Sequence, residues 1–179
     1  MEVADLKRED AFYYKQLLSF GFSDGYDEWL NHYLETESTL SDIVLELSFC
    51  GSDVNKIVSL LHNYCAEQRF DIIASHNKLR MFFKDAYYSG RLSKEEILST
   101  MYRLALNIGD PGDVDFEIWE SMYYLDYYYG LAQDGVIPIE NFDSAFFAYI
   151  DHGTPLNTEL IWKKKPKRKH RCLKKSRVY

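Results

Sequence analysis

Apolar residues recur every three to four positions along nearly the whole chain, which is the spacing of one buried face on a helix. The clearest stripe lies between residues 53 and 67 and consists of Val54, Ile57, Val58, Leu61, Tyr64 and Cys65. Capping and stop residues divide the pattern into eight helices. The predicted helices cover residues 9–20, 26–36, 41–50, 53–67, 71–88, 94–107, 114–131 and 139–150.

Polar residues at the ends of these segments support the division into helices. Ser93 and Glu96 have the spacing of a capping box, and Ser41 and Ser52 are candidate caps for the third and fourth helices. The only candidate strands, residues 43–47 and 136–139, are short and lie between helix signals. The sequence therefore predicts an all-α, single-domain bundle of seven to eight helices, for which stacked helical hairpins are one arrangement.

Composition fits one globular domain followed by a charged extension. The chain has 179 residues, of which 46% are hydrophobic, enough to build a core of its own. Residues 163–179 are too basic to fold alone. We expect an all-α globular domain over residues 1–162 and a disordered basic tail over residues 163–179.

Charge is distributed very unevenly along the chain. Residues 104–162 contain 11 acidic residues and no Lys or Arg, whereas residues 163–179 contain ten basic residues and no acid. Residues 1–162 therefore carry a formal charge of −17, although the whole chain carries only −7. Such a distribution favours a charged partner, because a field of one sign steers an oppositely charged molecule toward the surface.

Motifs for catalysis or metal binding are missing from the sequence. No HExxH, GxxxxGK[ST], GxGxxG or GxSxG pattern occurs, and the aspartates near residue 110 lack the spacing of a calcium loop. The three cysteines are too few and too scattered for a secreted disulfide scaffold, and no signal peptide or membrane-spanning run is found. We expect a cytoplasmic protein that is not an enzyme and needs no cofactor or metal.

The acidic segment is also rich in aromatic residues, with 12 of the 29 in the chain. A helix over residues 114–131 would pack Phe116, Trp119, Tyr123 and Tyr127 on one side and expose acids and tyrosines on the other. Tyrosine concentrates binding energy at interfaces, and carboxylates complement Lys and Arg. The candidate residues for binding a basic protein partner are Asp113, Glu117, Glu120, Tyr124, Asp126, Tyr128 and Asp134.

The basic tail leaves three interpretations open. It could bind nucleic-acid phosphates, pair with the acidic segment of its own chain, or act as a nuclear import signal if the organism has a nucleus. For the first interpretation, the candidate nucleic-acid-binding residues are Lys163, Lys164, Lys165, Lys167, Arg168 and Lys169. A nucleic-acid-associated helical protein that acts through this tail is therefore the alternative function.

A central stretch, residues 42–65 with the sequence DIVLELSFCGSDVNKIVSLLHNYC, resembles small helical bacterial immunity proteins. Such proteins belong to toxin and immunity pairs, including those of contact-dependent growth inhibition. The resemblance implies a protein that neutralises a cognate toxin, often a nuclease, by binding on or beside its active site. It implies no functional residue, because these families share none. Together with the charge pattern, it predicts an immunity protein that covers the basic active site of a toxin.

Overall fold

The computed structural model describes residues 6–36, 39–108 and 116–163, and this part of the chain is all-α. It contains nine α-helices and a single 3-10 turn, and no strand. The helices are α1 (Arg8–Ser19), α2 (Tyr26–Thr36), α3 (Asp42–Ser48), α4 (Val54–Ala66), α5 (Ile72–Tyr88), α6 (Lys94–Ile108), α7 (Glu120–Gln133), α8 (Ile139–His152) and α9 (Thr158–Trp162), with the 3-10 turn at Phe116–Ile118.

Helix α1 lies between two hydrophobic cores. Ala11 and Leu18 pack into the first core, which is otherwise built from α2, α3 and α4 and the segment before α1. Phe12 and Leu17 pack into the second and larger core, which α5 to α9 complete. Since residues of both cores alternate along one helix, α1 joins the two halves of the bundle.

Most predicted helix boundaries agree with the structure to within about two residues. Reciprocal hydrogen bonds confirm the capping box: the Ser93 backbone N–H donates to Glu96 Oε2 over 2.8 Å, and the Glu96 N–H donates to Ser93 Oγ over 3.2 Å. The prediction that Ser52 caps α4 is wrong, because Asp53 occupies that position and accepts from the Lys56 N–H. Ser41 does stand at the N-cap of α3, but its hydroxyl makes no capping bond.

The prediction is least accurate around α7 and α9. The predicted helix over residues 114–131 begins only at Glu120, because the 3-10 turn at Phe116–Ile118 precedes it. Helix α9 was not predicted, although the Asn157 side chain caps it by accepting from the Leu160 N–H. Among the described helices, none combines the length and the apolar character that a bilayer span requires.

A buried polar cluster joins α5 to α8. His76 Nε2 lies 2.9 Å from the Tyr149 hydroxyl, and Arg80 donates from Nη1 to the Ile150 carbonyl over 2.7 Å. His76 is 8% exposed and also packs edge-on against the Trp119 ring. Burial, followed by the nearby Arg80 guanidinium, lowers the pKa of His76 to about 4. The imidazole is therefore neutral in the folded protein at physiological pH.

Gly153 ends α8 in a left-handed conformation directly against Arg80. Its φ is +68°, and an added Cβ would lie 3.2 Å from Arg80 Nε. We expect Gly153→Ala to lower the free energy of unfolding by about 1–2 kcal/mol from backbone strain, with a further loss from the Arg80 contact. Urea denaturation measures the change. Gly135→Ala is the matched control, since Gly135 has φ +71° and no atom within 4 Å of an added Cβ. Equal losses in the two variants would contradict a role for the Arg80 contact.

Candidate protein-binding surface

Helix α7 turns one side to the protein interior and the other to solvent. Its buried residues are Ser121, Met122, Leu125 and Ala132, and the helix packs against α6 and α8. On a helical projection, the outward side is centred near Tyr127 and Asp134, with Glu120 beside them. Of the residues that the sequence singles out for partner binding, Glu120 and Asp134 lie on this outward side and Tyr124 lies at its edge.

The structure brings some of the predicted partner-binding residues together and separates others. Glu120 is exposed, and Tyr124 and Tyr128 are half-buried and follow it at successive helical turns. Exposed Glu117 lies in the 3-10 turn just before the helix, and exposed Asp134 follows its last residue.

Two of the predicted residues do not join this group. Asp126 is half-buried and lies on the opposite flank of α7 from Tyr124 and Tyr128. Asp113 lies outside the described residues.

Tyr127 is placed wrongly by the sequence prediction. It was expected on the packed side with Phe116, Trp119 and Tyr123, but its side chain is 57% exposed. Phe116 and Trp119 are buried as expected, and half-buried Tyr123 packs edge-on against Phe116. The reason is the 3-10 turn, which has fewer residues per turn and shifts the phase of the helix that follows.

Trp162 from α9 adds a second aromatic group beside α7 that sequence reasoning missed. Its side chain is 49% exposed, and its indole lies near the Tyr128 hydroxyl. Asn141 of α8 fixes this end of the chain by donating to the carbonyls of Ile161, over 3.0 Å, and Lys163, over 2.7 Å. The sequence feature that could have pointed to Trp162 is its position, because it is a large aromatic residue directly before a basic run.

We call this region the acidic-aromatic surface. It consists of Glu117, Glu120, Tyr124, Tyr127, Tyr128, Asp134 and Trp162. Within it, the Tyr127 and Tyr128 rings contact each other edge-on, with their centroids 5.3 Å apart. Burial is the main cause that raises the pKa of Tyr128, so its phenol stays neutral at physiological pH.

The carboxylates of this surface form no ion pair among the described residues. Of the side chains placed there, no Lys, Arg or His forms an ion pair with Glu117, Glu120 or Asp134. Two acids of residues 104–162 are nevertheless paired with cations from outside that segment. Asp143 of α8 pairs with Lys94 over 2.6 Å, and Asp151 of the same helix pairs with Lys84 over 3.3 Å. The carboxylates at the two ends of α7 differ from these two in having no ion-pair partner among the described residues.

The tail residues of the alternative function lie mostly outside the described residues. Lys163 is described, and its side chain is exposed. The other five candidates lie outside the described residues: Lys164, Lys165, Lys167, Arg168 and Lys169. Any pairing between the tail and the acidic-aromatic surface stays a prediction.

Comparisons with known proteins assign no family to the chain. No family model matches it, and no curated protein or solved structure is significantly similar to it. Among residues 6–36, 39–108 and 116–163, no three His, Cys, Asp or Glu side chains are grouped so that they could hold a metal ion. The acidic-aromatic surface places carboxylates, which complement Lys and Arg, beside large, partly exposed Tyr and Trp rings.

Proposed function

We propose that this chain is a bacterial immunity protein that binds and neutralises a cognate toxin through the acidic-aromatic surface. The observation that carries the proposal is the combination of unpaired carboxylates and partly exposed aromatic rings along α7. The activity is binding rather than catalysis, and the partner is a basic protein, a toxin whose active site handles nucleic acid.

Charge supports this proposal first. Glu117, Glu120 and Asp134 are exposed on the acidic-aromatic surface without an ion-pair partner among the described residues. An inert surface ordinarily mixes charges of both signs. Complementary fields raise association rates by roughly ten- to a thousand-fold, which benefits an inhibitor that must capture a toxin before it acts.

The aromatic residues supply the second support. Tyr127 and Trp162 expose about half of their side chains, and Tyr and Trp are over-represented among residues that dominate binding energy. Both rings lie beside Tyr128, and a Tyr or Trp side chain has only two rotatable angles, so little side-chain entropy is lost when a partner covers it. A basic active site that normally holds phosphates matches this surface in charge, because carboxylates can occupy the positions of the phosphates.

The proposal predicts that a large secreted protein with a toxic C-terminal domain is encoded immediately upstream of this chain, and co-expression with that domain tests it. We expect that domain alone to stop bacterial growth, and co-expression of this chain to restore growth. The two proteins should also elute together in size-exclusion chromatography. Growth arrest that persists, or the absence of a complex, would contradict the proposal.

Removing the tail separates this function from the nucleic-acid alternative. Truncation after Lys163 keeps the carbonyls that Asn141 binds and deletes the rest of the basic segment. We expect neutralisation of the toxin to change by less than about two-fold, because a basic tail adds no electrostatic attraction toward a basic partner. Growth rescue and binding of a labelled RNA are both measured. Loss of rescue together with loss of RNA binding would favour the alternative function.

A further inference from the structure

A polar groove of about 780 Å³ lies beside α1, between α4 and α6. Residues from each of the three helices line it. The polar side chains of the lining include Lys15 of α1, Asn55, Ser59 and His62 of α4, and Arg103 and Asn107 of α6. Of the described residues that line the groove, none is Asp or Glu, although acids outnumber bases by 28 to 21 in the chain.

Helical spacing aims several donors at the same space. Asn55, Ser59 and His62 stand at positions i, i+4 and i+7 of α4 and are all exposed. Arg103 and Asn107 stand four residues apart on α6. Asn107 also donates to the side-chain oxygen of Gln16 over 3.4 Å, which links α6 to α1 at this place.

Lys15 and Arg103 are among the described cations that have no carboxylate partner. Arg8, Lys78, Lys84, Arg91 and Lys94 each pair with a carboxylate. In the described part of the chain, neither Lys15 nor Arg103 forms an ion pair. The Lys15 ammonium lies 5.0 Å from the centroid of the Phe12 ring, and the Arg103 guanidinium lies 5.3 Å from that of the Phe20 ring. Lys15 is half-buried, and burial lowers its pKa. An anion in the groove would supply the missing counter-charge to both.

We propose that this groove binds a small phosphorylated molecule. A phosphoryl group accepts several hydrogen bonds at once, and a guanidinium, an ammonium and neutral donors from three helices can provide them. Phe20, Val58 and Leu106 add apolar contact for an organic body, and the volume is within the range of small-ligand sites. The site shares no residue with the acidic-aromatic surface and is independent of the proposed function.

Binding of AMP and glucose 6-phosphate to the full chain, measured by isothermal titration calorimetry, tests this proposal. Adenosine and glucose are the unphosphorylated references. We expect at least one phosphorylated probe to bind and its reference not to bind. Lys15→Met and Arg103→Met should each weaken that binding by about 10- to 100-fold, as expected for loss of a charge-assisted hydrogen bond. Lys56→Met, which removes an exposed charge of α4 outside the groove lining, is the matched control.

Thermal denaturation of the same variants distinguishes a ligand site from a structural one. Lys15→Met should raise the melting temperature of the ligand-free protein, because it removes a half-buried charge that has no ion-pair partner. At the same concentration, a phosphorylated probe should stabilise the unsubstituted chain more than Lys15→Met. Failure of both probes to bind, equal binding in the groove variants, or binding of an RNA oligonucleotide without either small probe would overturn the proposal.

Discussion

Reversing two charges on the acidic-aromatic surface should slow capture of the toxin domain at least about tenfold. Glu117→Lys and Glu120→Lys together replace two exposed carboxylates, for which no partner is described, with ammonium groups. Repulsion then replaces attraction at the place where we propose that the basic partner approaches. Stopped-flow or surface-plasmon kinetics at low salt measure the association rate constant, and the difference should shrink as salt screens the charges.

Glu35→Lys combined with Glu46→Lys is the matched control for this experiment. Both residues are exposed, on α2 and α3, and the double variant changes net charge by the same amount. We expect its association rate to fall much less, because the reversed charges do not lie at the interface. Equal slowing by the two double variants would show that the association rate depends only on net charge. That result would contradict the proposal that the partner binds at α7.

Acid should destabilise the folded protein through His76. The folded-state pKa of this residue is about 4, below the ordinary value of 6.5, so below 6.5 the unfolded state binds more protons. The contribution of neutral, buried His76 to the free energy of unfolding is fully present above about pH 6.5 and is lost as pH falls toward 4. Its full size is about 3 kcal/mol at 1.36 kcal/mol per pKa unit. Urea denaturation at pH values across this window measures the decline.

His76→Gln separates this effect from the titration of carboxylates. Glutamine keeps a hydrogen-bonding group near Tyr149 but does not titrate, so the decline between about pH 6.5 and 4 should become shallower. His32→Gln, at an exposed position of α2, should keep the unsubstituted slope. A slope that is the same in His76→Gln as in the unsubstituted chain would mean that His76 does not control acid stability.

The helices of this fold were predictable where local signals agree with one another. The capping box at Ser93 and the apolar stripe that buries Ile57, Leu61 and Tyr64 place α6 and α4 nearly where they occur. These features depend on backbone groups and side chains that are only a few residues apart, so the residues that form them can be recognised in the sequence.

The acidic-aromatic surface was predictable only in part. Helix α7 carries apolar or aromatic residues on every side, so periodicity does not single out its packed face. The 3-10 turn then moves Tyr127 to the exterior. Trp162 joins the surface through α9, a five-residue helix that the pattern misses because it is too short for a period to repeat.

The groove could not be predicted from the sequence at all. Lys15, His62 and Arg103 are separated by more than forty residues along the chain, and only the packing of three helices brings them together. No motif marks such a set, because the spacing between its members is set by loop lengths and core contacts rather than by ligand chemistry.

Carboxyl footprinting of the complex with the toxin domain tests the central claim most directly. Carbodiimide labelling followed by mass spectrometry reports the accessibility of each Asp and Glu in the free and bound chain. We predict that labelling of Glu117, Glu120 and Asp134 falls sharply on binding, while Glu35 and Glu46 are labelled as before. Unchanged labelling of these three carboxylates of the acidic-aromatic surface in a formed complex would contradict the account.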